Sequence, residues 1–219
     1  MTYDGVVFDM DGVLLEPTEG LLIREAVKAA FREHGIDDPD ENHVDTMRYG
    51  SSLTTEELER LCRDQGLDAD EFWRAREQHA SEKQLETVRD GEKPLYDDIH
   101  VLESLDQRLG LVSNNQQRTV DGILDHFEID RPFDAVYGRP PTHDGIRYTK
   151  PDPYYLERII TEFETENMLF VGDSNVDIAA AEKAGLDSAF LCRPHREGYE
   201  LRTEPTYRIE SLSDLRPIT

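Results

Sequence analysis

The chain has 219 residues, enough for one domain of ordinary size or a core carrying a smaller insert, and too few for a large multidomain machine. It carries 48 Asp plus Glu against 24 Lys plus Arg, a formal net charge of −24 at pH 7. That charge repels a nucleic-acid backbone and an anionic membrane surface, so binding to either is not expected, and a small phosphorylated ligand needs a locally positive or metal-neutralised pocket.

Residues 5–9, Gly-Val-Val-Phe-Asp, form a short apolar run closed by a carboxylate, the pattern of a buried parallel strand. From 16 to 92 no strand pattern appears. Apolar residues recur there at helical spacing, with Leu21, Leu22, Val27 and Phe31, then Leu58 and Leu61, then Phe72, Trp73 and Ala75. Gly35, Pro39, Gly50 and Gly66 punctuate this stretch, and Thr54 with Glu57 spells a capping box. It reads as a helical insert, with residues 1–15 and 93–219 forming the sheet domain. Strand-like runs return at 109–113, 134–137, 168–172 and 188–192, separated by helical patterns over 115–127, 153–164 and 175–184. Strand and helix in alternation predict an α/β fold, a Rossmann-like three-layer parallel sheet covered on both faces, with the helical insert as a cap. The stretch from Tyr137 to Pro141 reads as a loop at the site entrance, and Phe72 and Trp73 as core of the insert.

The acidic excess is spread along the whole chain, which is not the pattern of an interaction tail. Only five of the 24 basic residues are Lys, a composition that resembles proteins of extreme halophiles. The two cysteines, Cys62 and Cys192, show no metal-site spacing and read as buried thiols in a reducing compartment. No apolar run is long enough to span a bilayer, and the start shows no signal-peptide pattern, so a soluble cytoplasmic protein is expected, a monomer by default.

In open α/β sheets, ligands bind beyond the C-terminal strand ends. Those ends here carry Asp9 and Asp11, then Ser113 and Asn114, and then Asp173, Ser174 and Asp177, with Lys150 just before a helix. Carboxylates converging without a cation would repel one another, which implies a hard, oxygen-preferring ion such as Mg²⁺. Lys150 supplies a point charge for a phosphoryl group.

Four segments carry a family resemblance: Asp9-Met10-Asp11-Gly12-Val13, Leu111-Val112-Ser113-Asn114, Lys150-Pro151-Asp152-Pro153, and Val171-Gly172-Asp173-Ser174-Asn175-Val176-Asp177. In order and spacing they resemble the four motifs of the haloacid dehalogenase superfamily, and the insert resembles the helical cap of its phosphoglycolate-phosphatase-like and beta-phosphoglucomutase-like branches. The resemblance implies Asp9 as nucleophile, forming an aspartyl phosphate, and Asp11 as general acid and then general base. It implies Mg²⁺ held by Asp9, the Asp11 carbonyl and Asp173, with Asp177 as ligand or support. Ser113 and the Asn114 amide would bind phosphoryl oxygens, Lys150 would neutralise charge and position Asp9, and Gly12 would allow close backbone approach to phosphate.

Asp11 favours phosphoryl transfer from oxygen, since the dehalogenases and phosphonate hydrolases of the superfamily lack that second carboxylate. Leu21 stands where the mutases would place a His, which counts against a mutase. Val13 and Glu16-Pro17 depart from the usual phosphoglycolate-phosphatase continuation and leave the substrate open. Arg48, Tyr49 and Gly50 are the candidates for leaving-group recognition. The expected activity is a Mg²⁺-dependent phosphomonoesterase acting on a small metabolite, with a sugar-phosphate mutase and a catalytically silent binding protein as the alternatives.

Overall fold

The computed structural model describes residues 2–49 and 53–219. Seven α-helices occur among the described residues: α1 (Gly20–Glu33), α2 (Glu41–Thr46), α3 (Thr55–Asp64), α4 (Ala69–Arg89), α5 (Gln117–Phe127), α6 (Tyr154–Phe163) and α7 (Asn175–Ala184). The strands are β1 (Gly5–Phe8), β2 (Arg108–Gln116), β3 (Ala135–Arg139), β4 (Met168–Gly172), β5 (Asp187–Leu191) and β6 (Tyr207–Ile209). They form one sheet in the order β3-β2-β1-β4-β5-β6, parallel throughout.

Strand side chains alternate between faces, and both faces are covered. Val6, Phe8, Leu111 and Val171 pack on one side with Val120, Ile123 and Leu124 of α5. Val7, Val112 and Phe170 pack on the other with Leu156 and Ile159 of α6 and Ala180 and Ala181 of α7. This two-sided burial is why the strands read as continuous apolar runs. The expected three-layer α/β architecture is therefore present, with β6 as a short additional edge strand that no sequence pattern announced.

Between β1 and β2 the chain is helical. Val27, Phe31, Val44, Leu58, Phe72 and Trp73 form a separate cluster, with Phe31 and Phe72 ring centroids 4.6 Å apart. Phe72 and Trp73 are thus core residues, as expected. The Thr54 capping box is formed: the Glu57 backbone N–H donates to Thr54 Oγ1 at 3.2 Å, and the Thr54 N–H donates to Glu57 Oε2 at 3.0 Å. Leu21 departs from the expected apolar face, at 69% exposed. At 100° per residue it lies opposite the stripe of Ile23, Ala26, Val27 and Ala30 that α1 buries. The two linkers to this segment run side by side. Glu16 N–H donates to the Pro94 carbonyl at 3.0 Å and Tyr96 N–H to the Leu14 carbonyl at 3.0 Å, flanking an antiparallel bridge between Leu15 and Leu95. Helix α4, about 31 Å long at 1.5 Å per residue, reaches from the helical cluster to the sheet, where its Leu85 and Val88 join the core over β1.

The stretch 137–139 is not a loop: it is the end of β3, and Arg139 is buried. Its backbone pairs with β2, with Gln116 opposite Arg139, so the connection begins only at Pro140. Cys62 is buried, but Cys192 is only half-buried, at the exit of β5. Among the described residues no helix is long and apolar enough to cross a membrane.

Candidate active site

Strand register sets the site. Phe8 lies opposite Leu111 of β2 and Val171 of β4, so the residues just after them emerge level on one rim of the sheet. Asp9 continues β1, its N–H donating to the Val171 carbonyl at 2.9 Å. Asp9, Asp173 and Asp177 are all buried, and an oxygen of each lies within 4.8 Å of the others. Lys150, 2% exposed, lies between them: Nζ is 2.6 Å from Asp9 Oδ1 and 2.7 Å from Asp177 Oδ1, and it donates to the Val112 carbonyl at 3.1 Å. Asp177 also accepts the Ser174 N–H, at 3.1 Å, and the Ser174 hydroxyl, so it is both helix cap and member of the cluster. Gly172 is required here, since a Cβ would overlap the Asp177 side chain where α7 starts.

Lys150 pairs with Asp9 and Asp177 and Arg196 pairs with Asp173, so three buried carboxylates face two cations. Burial above all pushes the Asp9 carboxyl well above the usual carboxylate range; the Lys150 ammonium opposes this, and Asp177 and Asp173 add to it. Burial acts to lower Lys150, but Asp177 and Asp9 outweigh it and hold the ammonium above its ordinary value. Burial also acts to raise Asp173, yet hydrogen bonds from His195 Nε2 at 2.7 Å and Arg196 Nε at 2.9 Å to its Oδ2 hold it below the ordinary value. Three buried carboxylates whose oxygens converge this closely fit a hard divalent cation.

The remaining expected residues separate into those turned to the cavity and those engaged elsewhere. Ser113 is buried, lines the cavity, and accepts the Asn115 N–H at 3.1 Å. The Asn114 side chain is spent on the Lys150 main chain: Oδ1 accepts the Lys150 N–H at 2.7 Å and Nδ2 donates to the Lys150 carbonyl at 3.3 Å. It clamps the loop that presents Lys150. Gly12 has φ of +77°, and what approaches it is the Asp173 carboxylate, which a Cβ would overlap, with His195 Nε2 2.9 Å from that Cβ. Asp11 turns away from the three-carboxylate cluster. Its Oδ1 meets Lys93 Nζ and, at 3.0 Å, Thr18 Oγ1, while Asn115 Nδ2 donates to its Oδ2. Arg48 and Tyr49 follow α2 and line the same cavity, with the guanidinium 4.8 Å from the ring centroid. Gly50 lies outside the described residues.

The cavity measures about 400 Å³ and brings Asp9, Asp11, Ser113, Lys150 and Asp173 together with Arg48, Arg76, Arg139 and Arg196. A larger groove of about 790 Å³ between Ile99, Leu105, Asp125 and Arg131 holds none of the converging carboxylates. Arg76 and Arg139 carry no sequence motif. Arg139 from β3 places Nη2 2.8 Å from both oxygens of Glu77, on α4, and donates from Nε to the Asn114 carbonyl at 2.7 Å. Arg76 donates to Glu77 Oε1 at 2.7 Å and to the Arg48 carbonyl. His195 and Arg196 follow β5, at the strand-end position that pointed to the other residues, so the same rule reaches them. Lys93, Thr18 and Asn115 on Asp11 had no such signal.

A family model described as haloacid dehalogenase-like hydrolase matches residues 3–185. The phosphoglycolate phosphatase of Cereibacter sphaeroides is 31% identical over 196 residues, covering 88% of this chain and 86% of that protein. The phosphoglycolate phosphatase 1 of Pseudomonas aeruginosa is 35% identical over 112 residues, half of this chain and 40% of that protein. A 5'-nucleotidase of the same organism is 28% identical over 226 residues, 100% of this chain and 96% of that protein. Among solved structures, CbbY from Rhodobacter sphaeroides in complex with phosphate superimposes with a TM-score of 0.69 at 21% identity, over 98% of this chain and 97% of that one. A predicted phosphoglycolate phosphatase from Haemophilus somnus gives 0.66 at 23%, over 99% and 97%. Both structural likenesses are likenesses of fold.

Proposed function

Because this chain belongs to the haloacid dehalogenase-like hydrolases, and is a phosphatase of that family, we propose that it is a Mg²⁺-dependent phosphomonoester hydrolase working through an aspartyl phosphate. The observation that carries the reading is the buried cluster of Asp9, Asp173 and Asp177, with Lys150 paired to Asp9 and Asp177 and Asp11 two residues from Asp9 at the same cavity.

Asp9 attacks phosphorus in line; an oxygen–phosphorus bond forms, the bond to the leaving oxygen breaks, and Asp11 gives that oxygen a proton. Water then attacks the aspartyl phosphate, passing a proton to Asp11, and the bond from Asp9 to phosphorus breaks to release phosphate. Lys150 holds Asp9 in place and neutralises charge. The Ser113 hydroxyl and the Asn114 backbone N–H bind phosphoryl oxygens. Asp9, the Asp11 carbonyl, Asp173 and Asp177 would hold Mg²⁺, which when bound supplies charge neutralisation for the transferring group. The helical segment 16–92 acts as the cap that covers this cavity and excludes bulk water.

The leaving group carries a negative charge of its own, as in phosphoglycolate. Arg48, Arg76 and Arg139 meet at the cavity wall, whereas Glu77 is the buried carboxylate between Arg76 and Arg139, and among the described residues the one carboxylate within 4.0 Å of Arg48 is Asp45. Burial and the neighbouring Arg139 hold Arg76 below the ordinary guanidinium value even with Glu77 beside it. Such an excess of positive charge at this wall, in a chain of net charge −24, favours an anionic ligand over a neutral sugar or nucleoside. A mutase lacks support: Leu21, where an acid/base His would stand, is a solvent-exposed aliphatic residue.

Phosphate release from a panel of small phosphomonoesters tests this, with Mg²⁺ in molar KCl and Asp9→Asn as blank. Turnover of an ester with an anionic leaving group, lost in Asp9→Asn and on chelation, is expected. Release that survives Asp9→Asn, or no release from a folded protein, refutes it.

A further inference from the structure

Lys93 is the second buried lysine of the site, 4% exposed, and no motif contains it. It sits on the returning linker, one residue on the helical side of Pro94, where the antiparallel pairing of the two linkers ends. From there its ammonium reaches Asp11 Oδ1 and donates to Thr18 Oγ1 at 2.6 Å, on the outgoing linker. The Thr18 hydroxyl lies 3.0 Å from Asp11 Oδ1 and 2.8 Å from Gln84 Oε1 of α4, so its single proton goes to one of the two while its oxygen accepts from Lys93. Asn115 Nδ2 holds the other Asp11 oxygen. Both linkers and the sheet rim therefore converge on one carboxylate, and α4 holds Thr18 from behind.

Burying an ammonium costs several kcal/mol unless a partner offsets it, and an apolar side chain of the same length would fill the space without that cost. Asp11 is the only carboxylate that Lys93 meets within 4.0 Å among the described residues. A charge kept there at a cost, and aimed at one oxygen of one carboxylate, has positioning as its use.

We propose that Lys93 is the positioning residue of the acid/base carboxylate: with Thr18 it fixes Asp11 Oδ1, so that Asp11 meets the leaving oxygen and then the hydrolytic water only when both linkers are in this arrangement. This rests on the reading of Asp9 as nucleophile and Asp11 as acid/base. Lys93 touches neither substrate nor phosphorus, and its loss slows the two proton transfers while leaving the attack of Asp9 intact.

The test is Lys93→Met, which keeps a stem of nearly the same length and removes the charge, measured by rapid quench on two probes. With p-nitrophenyl phosphate, whose leaving group needs no proton, the first-turnover burst of p-nitrophenolate keeps its wild-type rate, while steady-state turnover falls about 10- to 100-fold because water attack on the aspartyl phosphate is slowed. With an alkyl phosphate the burst falls as well. Lys93→Arg recovers part of the steady-state rate, and Thr18→Val, with Lys93 intact, reproduces the pattern at smaller amplitude. Equal loss of burst and steady state on the aryl ester, or wild-type rates in Lys93→Met, overturns the proposal. A melting curve keeps an unfolded variant from being read as a slow one, and Thr18→Val then decides. Absence of Asp9-dependent release in the wild type would instead overturn the phosphatase reading.

Discussion

Glu77 is the point where α4 is tied to the sheet, and Glu77→Gln measures that tie. The carboxylate is wholly buried and shared by Arg76 at 2.7 Å and Arg139 at 2.8 Å, and it also accepts from Gln116. Breaking a buried ion pair by removing one partner costs about 3–5 kcal/mol, because the other charge stays buried without compensation. Gln keeps one acceptor oxygen and returns about 1 kcal/mol, so a net loss of about 3 kcal/mol is expected. For a chain of this size that lowers the melting temperature by about 6–12 °C. Urea unfolding followed through Trp73, the only tryptophan and itself buried in the helical cluster, reads the change directly. The pH dependence has a definite sign. Burial acts to raise Glu77, but Arg139 and Arg76 outweigh it and hold the carboxyl below its ordinary value of 4.5. A group lowered on folding contributes fully above its unfolded value and loses that contribution as pH falls through the folded one. The stability gap between wild type and Glu77→Gln therefore narrows below about pH 4.5. Adding Arg76→Met to Glu77→Gln recovers part of the loss, since it removes a stranded cation. A gap under about 1 kcal/mol at neutral pH, set against the buried-pair cost, refutes the bridge as a stabilising tie.

Three further outcomes are expected. Gly12→Ala introduces a Cβ into the Asp173 carboxylate at a positive φ, and should weaken Mn²⁺ binding by calorimetry as well as lower kcat by about 100-fold, the usual scale for a displaced catalytic group; unchanged metal affinity would contradict the contact. Arg48→Ala should raise KM about 10-fold for an ester with a carboxylate on its leaving group, the loss of about 1.4 kcal/mol, and leave KM for p-nitrophenyl phosphate unchanged; equal effects on both would remove Arg48 from leaving-group recognition. Asp98 opposes its own burial by accepting from Arg193 at 2.8 Å, the Leu212 N–H at 2.9 Å and the Ser211 hydroxyl at 2.8 Å, and is held below its ordinary value. Asp98→Ala should cost about 1–3 kcal/mol of urea stability that vanishes on acidification, by the same sign as Glu77; a pH-independent loss would assign it to packing.

The residues at the strand ends were legible because a strand covered on both faces is apolar along its length and polar where it leaves the sheet. Asp9 and Asp173 are therefore marked by the runs before them, Ser113 by the end of the apolar run although β2 continues to Gln116, and the periodicity of α5, α6 and α7 marks the layers that cover those runs. β6 escaped notice because three residues, one of them buried, make no period. Arg139 looks like loop in the sequence because a charged side chain followed by two prolines resembles a turn, whereas Glu77, 62 positions away, makes its burial tolerable. Lys93 meets Asp11 across 82 positions and Arg193 meets Asp98 across 95. Local pattern reports what each segment must bury, and by itself it determined the five central strand runs, the helices that cover them and the carboxylates of the cluster. Which charges meet is decided by long-range packing, since a buried cation is stable only beside the carboxylate that the fold delivers to it. The hold on Asp11, the bridge through Glu77 and the arginines of the cavity wall belong to the tertiary structure alone.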